Sequence, residues 1–332
     1  MTASPLRVGV VGVGSMGSNH ARVYRELQSA TLVGVADADA ERAETVAEAY
    51  DTQAMDPIEL LDAVDAVSIV VPTSHHVAVA TEALRRDVDV LVEKPFVVDV
   101  DAGRELVDLA EARDLVLQVG HIERFNPAIR TLSRFAAGLD VLAMTAMRLG
   151  PPVARHIDVN PVLDLMIHDI DIMRSLVDAP VESVSAAQVV GEPYVSATLT
   201  FETGVVGTLL ASRVTQQKVR TLSLTTPESH VTVDYISQSV DIHRQSLPEY
   251  LETESGVGFR HQSIVERPAT EHAEPLKLEL ESFLDAVRDR GEPEVTGADG
   301  LAAVEIAGRI MASANVPAVV PLEAVDGTVP NR

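Results

Sequence analysis

The sequence predicts an α/β chain: an N-terminal doubly wound parallel sheet of the Rossmann type, then an α+β domain with a mainly antiparallel sheet. Three observations predict it. A buried strand-like run from Leu6 ends in Gly12-Val13-Gly14-Ser15-Met16-Gly17. From there to Gly120 strand-like and helix-like segments alternate, as in a parallel sheet covered by helices. Later the apolar period becomes two, in Tyr194 to Phe201, Val205 to Ser212, Arg220 to Thr225 and His230 to Tyr235, which marks antiparallel strands. We therefore expect one domain over residues 1–122 and a second over 123–332, with terminal helices that can pack back on the first.

The glycine stretch organises the first domain. Gly12, Gly14 and Gly17 fit G-x-G-x-x-G: the first permits a tight turn, the second lets a pyrophosphate approach the backbone, and the third lets helix pack on strand. Ser15 and Met16 then open a helix to about Ser29, and phosphate sits at such a helix N-terminus. A second apolar run, Thr31 to Ala36, closes on Asp37, 20 residues after Gly17. An acid there meets a ribose 2′-hydroxyl and repels a 2′-phosphate, so NAD is expected in preference to NADP.

Further strands are expected near 66–71, 88–92 and 115–119. The helices between them start at Asp39, at Asp56 before Pro57, at Thr73 or Ser74, and at Asp99, all residues that cap helix N-termini. Asn126-Pro127 opens another helix, and a strand near 139–149 follows. Asn160-Pro161 opens a helix in the second domain, and two helices, near 274–290 and 298–314, close the chain. The tail, with Pro317, Pro321 and Pro330, reads as irregular.

Charge is the oddest bulk property. Fifty acids against 26 bases give a net charge of −24, which salt would have to screen, as in halophiles. No basic stripe is available for nucleic acid or an anionic membrane. Lys94, Lys218 and Lys277 are the lysines, and arginine supplies the other 23 bases. The absence of cysteine removes disulfides and thiolate zinc sites. With no secretory pattern at residues 1–5 and no apolar run of membrane-spanning length, a cytoplasmic protein is expected.

Ligands of doubly wound sheets bind beyond the carboxyl ends of the strands. Candidates there are Pro72, Thr73 and His76 on the cofactor side, Glu93 and Lys94 before Pro95, and the segment from His121 to Pro127 with Arg124 and Asn126. A loop lysine is ordinarily just solvated. In a chain that has kept so few lysines, an ammonium of adjustable pKa is worth weighing as a proton carrier. On the second-domain helix, Asp164, His168, Asp171 and Ser175 form one stripe. A carboxylate one turn from an imidazole can orient it as a general base, although the same spacing also occurs in plain surface pairs. Asp169 points into the apolar arc of that helix, as a hydrogen-bonding hub would. Without a second histidine or a cysteine nearby, no metal is expected.

Gly12-x-Gly14-x-x-Gly17, Glu93-Lys94-Pro95 and Asp164-x-x-x-His168-Asp169 together resemble the Gfo/Idh/MocA family. The resemblance implies a Rossmann domain that carries NAD(P), a second domain that binds substrate and builds a homo-oligomer (a dimer or tetramer), and hydride transfer between nicotinamide and a sugar or polyol carbon. It places Lys94, Asp164 and His168 at the active site. The segment from Gly120 to Pro127 is similar to that of nucleotide-sugar 3-dehydrogenases, notably archaeal ones. The implied substrate is then a UDP-N-acetylhexosamine oxidised at C3; its diphosphate could be met by Arg124, Arg155 or backbone amides, and Asn126 is a further candidate contact. A free polyol or aldose dehydrogenase is the same-class alternative, and a noncatalytic dinucleotide-binding protein is the different-class one.

Overall fold

The computed structural model describes residues 4–136, 138–152, 160–177, 179–245, 249–253, 256–260 and 263–316. Two compact units emerge, Met1–Pro127 with His272–Glu305, and Ala128–Glu271 with Ile306–Arg332.

The first unit runs β1 (Leu6–Val11), α1 (Ser15–Glu26), β2 (Ala30–Ala36), α2 (Ala40–Ala49), β3 (Gln53–Ala54), α3 (Pro57–Ala63), β4 (Ala66–Ile69), α4 (His76–Arg85), β5 (Asp89–Glu93), α5 (Val100–Ala112) and β6 (Leu117–Gly120). Its strands form a parallel sheet in the order β3-β2-β1-β4-β5-β6. The order reverses at β1, which puts the crevice for a dinucleotide at the end of that strand. β1, β4 and β5 are buried on both faces, which explains their unbroken apolar runs. The expected caps form at three helices: Asp39 accepts the N–H of Arg42, Asp56 that of Ile58, and Asp99 those of Asp101 and Ala102. The fourth differs. Thr73–His75 is a 3-10 turn without a side-chain cap, and α4 starts at His76.

The second unit begins with α6 (Pro127–Ala136) and β7 (Ala143–Leu149), then α7 (Ile167–Leu176), β8 (Val181–Gln188), β9 (Tyr194–Phe201), β10 (Val206–Ser212), β11 (Val219–Thr225), β12 (Ser229–Asp234) and β13 (Ser239–Gln245). A hairpin of β14 (Glu249–Thr253) and β15 (Gly256–Arg260) precedes β16 (Ser263–Glu266). The large sheet has the order β16-β13-β12-β11-β7-β10-β9-β8. All its neighbours are antiparallel except β7 and β10. Alternation along β7 buries Met144, Ala146 and Arg148 and exposes Thr145 and Met147.

Two helices close the described chain, α8 (Pro275–Asp289) in the first unit and α9 (Gly297–Ala314), which starts in the first and ends in the second. Leu280, Phe283, Leu284 and Val287 of α8 join Val8, Val10, Ala21 and Tyr24 in one core. At the other end of α9, Arg309 donates to the carbonyls of Val181 and Glu182, both at 2.8 Å, and Ser313 Oγ accepts the N–H of Ala186 at 2.9 Å. Those bonds satisfy backbone along β8, an edge strand. Among the described residues no helix is long and apolar enough to cross a membrane.

Candidate active site

The glycine loop closes β1 onto α1 by steric necessity. Gly12 has φ +89°, and a Cβ there would come within 2.7 Å of the Val70 carbonyl. A Cβ on Gly17 would lie 1.8 Å from the carbonyl oxygen of Gly12. Around Gly14 the space is open, with no atom within 4 Å of a built Cβ. This is the cradle a pyrophosphate needs: Gly12 and Gly17 shape the turn, and Gly14 leaves backbone at the α1 N-terminus, beside Ser15 and Met16, accessible. Asp37 completes it. Its Oδ2 accepts the N–H of Val13 at 2.7 Å, and its Oδ1 accepts the N–H of Asp39 at 2.9 Å and faces Arg42 at 3.3 Å. The residues therefore fit NAD, with the acid at the end of β2 set against the loop.

Beyond β4, Pro72 is exposed and Thr73 half-buried. His76 departs from the expectation of a cofactor contact. It is 1% exposed, with Nδ1 3.0 Å from the Phe96 carbonyl and Nε2 2.8 Å from that of Val71. Each nitrogen faces a backbone carbonyl, and a neutral ring donates to one of the two, so His76 links the segments that follow β4 and β5. Burial pushes its pKa down, although both carbonyls favour the protonated ring.

At the end of β5, Glu93 is buried and Lys94 half-buried, and the Lys94-Pro95 peptide is cis. The Glu93 carboxylate accepts the N–H of Lys94 at 3.0 Å and lies 3.2 Å from His20 Nε2. Burial raises its pKa, but the hydrogen bond from His20 and the nearby charge of Lys94 outweigh that and hold it below the usual value. The Glu93 carboxylate thus anchors the Lys94 turn. After β6, His121, Phe125 and Asn126 are buried. Asn126 donates to Glu123 at 3.1 Å, and Arg124 faces Asp299 at 3.6 Å.

The second unit presents Asp164 and His168. Asn160 caps the segment, its Oδ1 accepting the N–H groups of Val162 and Leu163 at 2.9 and 3.1 Å. The first turn is wider than expected: Val162–Met166 is π-helical, and the α-helix begins at Ile167. Such turns re-aim side chains and recur at functional sites. Asp164 Oδ2 accepts from the guanidinium of Arg213 at 2.5 Å. Asp164 was expected there to orient His168, whereas Arg213 was not among the residues expected at the site. Its place just past β10 was the available signal. His168 is 9% exposed. Asp169 is the hub its direction predicts: it takes bidentate bonds from Arg148 at 2.8 and 2.9 Å and one from the Tyr235 hydroxyl at 3.3 Å. Arg155 lies outside the described residues.

Comparison with known proteins fits this geometry. Residues 6–121 match the model of the oxidoreductase family with an NAD-binding Rossmann fold, and residues 154–228 match the GFO/IDH/MocA C-terminal domain. A UDP-N-acetylglucosamine 3-dehydrogenase from Acidithiobacillus ferrooxidans is 36% identical over 85% of this chain and 88% of its own. The chain belongs to the Gfo/Idh/MocA family. It is an NAD-binding oxidoreductase, and the relatives named here are dehydrogenases. The solved structure of the Acidithiobacillus enzyme superposes with a TM-score of 0.84 at 32% identity, over 93% of this chain and 97% of that one. An inositol 2-dehydrogenase from Rhizobium meliloti is 26% identical over 91% of this Gfo/Idh/MocA chain and 94% of its own.

Proposed function

We propose that this protein oxidises a hydroxyl-bearing carbon of a nucleotide sugar, C3 of a UDP-N-acetylhexosamine, with NAD. The observation that carries the reading is the 36% identity, along 85% of the chain, to a UDP-N-acetylglucosamine 3-dehydrogenase. Bound NAD supplies the hydride acceptor. His168 takes the hydroxyl proton as general base, and Lys94 donates a hydrogen bond to the reacting oxygen. Lys94 and His168 can exchange these roles, since both side chains carry a transferable proton. Asp164, held by Arg213 at 2.5 Å, is a fixed acceptor on the same segment as His168. Arg124 and Asn126 are candidate contacts for the substrate's polar groups.

A free polyol is the second reading, favoured by the likeness over 91% of the chain to an inositol 2-dehydrogenase. Assays with UDP-N-acetylglucosamine, UDP-N-acetylgalactosamine, myo-inositol and scyllo-inositol, with NAD in high salt, separate the two. Reduced nicotinamide from inositols alone overturns the nucleotide-sugar reading.

Two wider properties belong to the same proposal. The open face of the second unit's sheet, with Thr145, Met147, Val206 and Thr208 exposed, supports a homo-oligomer, because closed symmetry commonly covers such a face. The net charge of −24 supports a cytoplasm rich in salt. Sedimentation in high salt tests the first, and a monomer there contradicts it.

A further inference from the structure

The first unit holds a buried polar chain that the reading above does not use. Tyr24 OH and Ser68 Oγ are 2.8 Å apart, Ser68 Oγ and His20 Nδ1 3.1 Å, and His20 Nε2 and Glu93 Oε1 3.2 Å. Each donor can be used once: Tyr24 gives to Ser68, Ser68 to Nδ1, and the N–H at Nε2 to Glu93. The chain then ends on the carboxylate that accepts the N–H of Lys94. Beside it stands Glu279 of α8, with no exposed surface. One of its carboxyl oxygens lies within 4.8 Å of donor or acceptor atoms of His20 and Glu93. Neither Glu279 oxygen has a hydrogen-bond partner among the described residues, nor does Oε1 of the neighbouring Gln118, whose Nε2 donates to the Glu279 carbonyl at 3.4 Å.

Charge decides what Glu279 is. Glu93 already has His20 and the charge of Lys94 to support it as an anion. A second anion at this distance in a dry interior would be unsupported. The groups that face or act on Glu279 are His20 and Tyr24 from α1, Glu93, and Glu294 after α8, and the turn that carries Glu123 and Arg124 also packs on α8. Burial first, then the charges of Glu93 and Glu294, push its carboxyl well above the usual range.

We propose that Glu279 is a positioning residue for Lys94: as a neutral carboxylic acid it fills the end of this chain and leaves Glu93 the one anion there, anchoring the Lys94 peptide. This rests on the reading of Lys94 as the residue at the reacting oxygen. Ionising Glu279 puts two anions side by side and loosens that anchor, so turnover falls on the alkaline side.

The test compares the full chain with Glu279→Gln, which keeps the shape and has no proton to lose. Difference infrared spectra at neutral pH should show a carboxylic-acid carbonyl band in the wild type that the variant lacks. The unfolded chain releases this proton near the ordinary glutamate value while the folded chain keeps it, so wild-type stability falls as pH rises between those two values. The Tm of Glu279→Gln should therefore gain on the wild type as pH rises above the ordinary glutamate value. Its alkaline limb of kcat should move to higher pH, with the KM for NAD unchanged. Absence of both the band and the Tm gain overturns the proposal, as does a stoichiometric metal ion lost on substitution. A band with an unmoved kcat limb overturns the positioning role. The infrared and Tm results do not depend on Lys94, so they separate failure here from failure of that reading, which full turnover by Lys94→Ala would reveal.

Discussion

Asp37 accepts the backbone N–H of Val13 at 2.7 Å, so one carboxylate both closes the glycine loop and stands where a ribose would bind. Arg42, whose side chain is 48% exposed, faces the same carboxylate at 3.3 Å. NAD should be preferred in the unmodified protein. Asp37→Ser should narrow the gap by removing the repulsion and freeing Arg42 for a 2′-phosphate. Adding Arg42→Ala should then restore discrimination against NADP. Comparing kcat/KM for the two cofactors across the three proteins checks this; equal use by the wild type contradicts it.

The Arg148–Asp169 pair, with 4% and 3% side-chain exposure, is held by two short hydrogen bonds. Breaking one side leaves a buried charge alone, which costs about 3–5 kcal/mol. Asp169→Ala should lower the unfolding free energy by that much, whereas Tyr235→Phe, which removes one neutral donor, should cost about 1 kcal/mol. Denaturant titrations that rank the two the other way would remove Asp169 as the hub.

His168→Ala should lower turnover by about 10²- to 10⁴-fold, the usual loss for a positioned base. NAD affinity should scarcely change, because the glycine loop is untouched. Lys94→Ala should behave alike. Steady-state kinetics with a separate NAD titration decide it, and near-normal turnover in His168→Ala with an unchanged acid limb moves the base to Lys94.

Salt should matter to stability. With a net charge of −24, self-repulsion opposes the compact state, and the Debye length grows from about 3 Å at 1 M salt to about 30 Å at 0.01 M. Circular dichroism melts across that range should show a falling Tm on dilution; an unchanged Tm argues against adaptation to salt.

The sequence alone determined what depends on near neighbours along the chain. The loop from Gly12 to Gly17, the caps at Asp39, Asp56, Asp99 and Asn160, and the inward direction of Asp169 follow from spacing, because backbone geometry repeats every turn or every second residue. The change of period from the first sheet to the second was legible for the same reason. Only the tertiary structure decided the partners. Arg148 reaches Asp169 from β7, and Arg213 reaches Asp164 from the end of β10. The place of His76 after a strand gives no sign that its nitrogens face the carbonyls of Val71 and Phe96. Glu279 meets His20 and Glu93 although α8 lies far along the chain from both. Strand order and the packing of α8 on α1 create these meetings. They arise from the burial of apolar surface by the whole chain, which leaves no local period by which one side chain could reveal its distant partner.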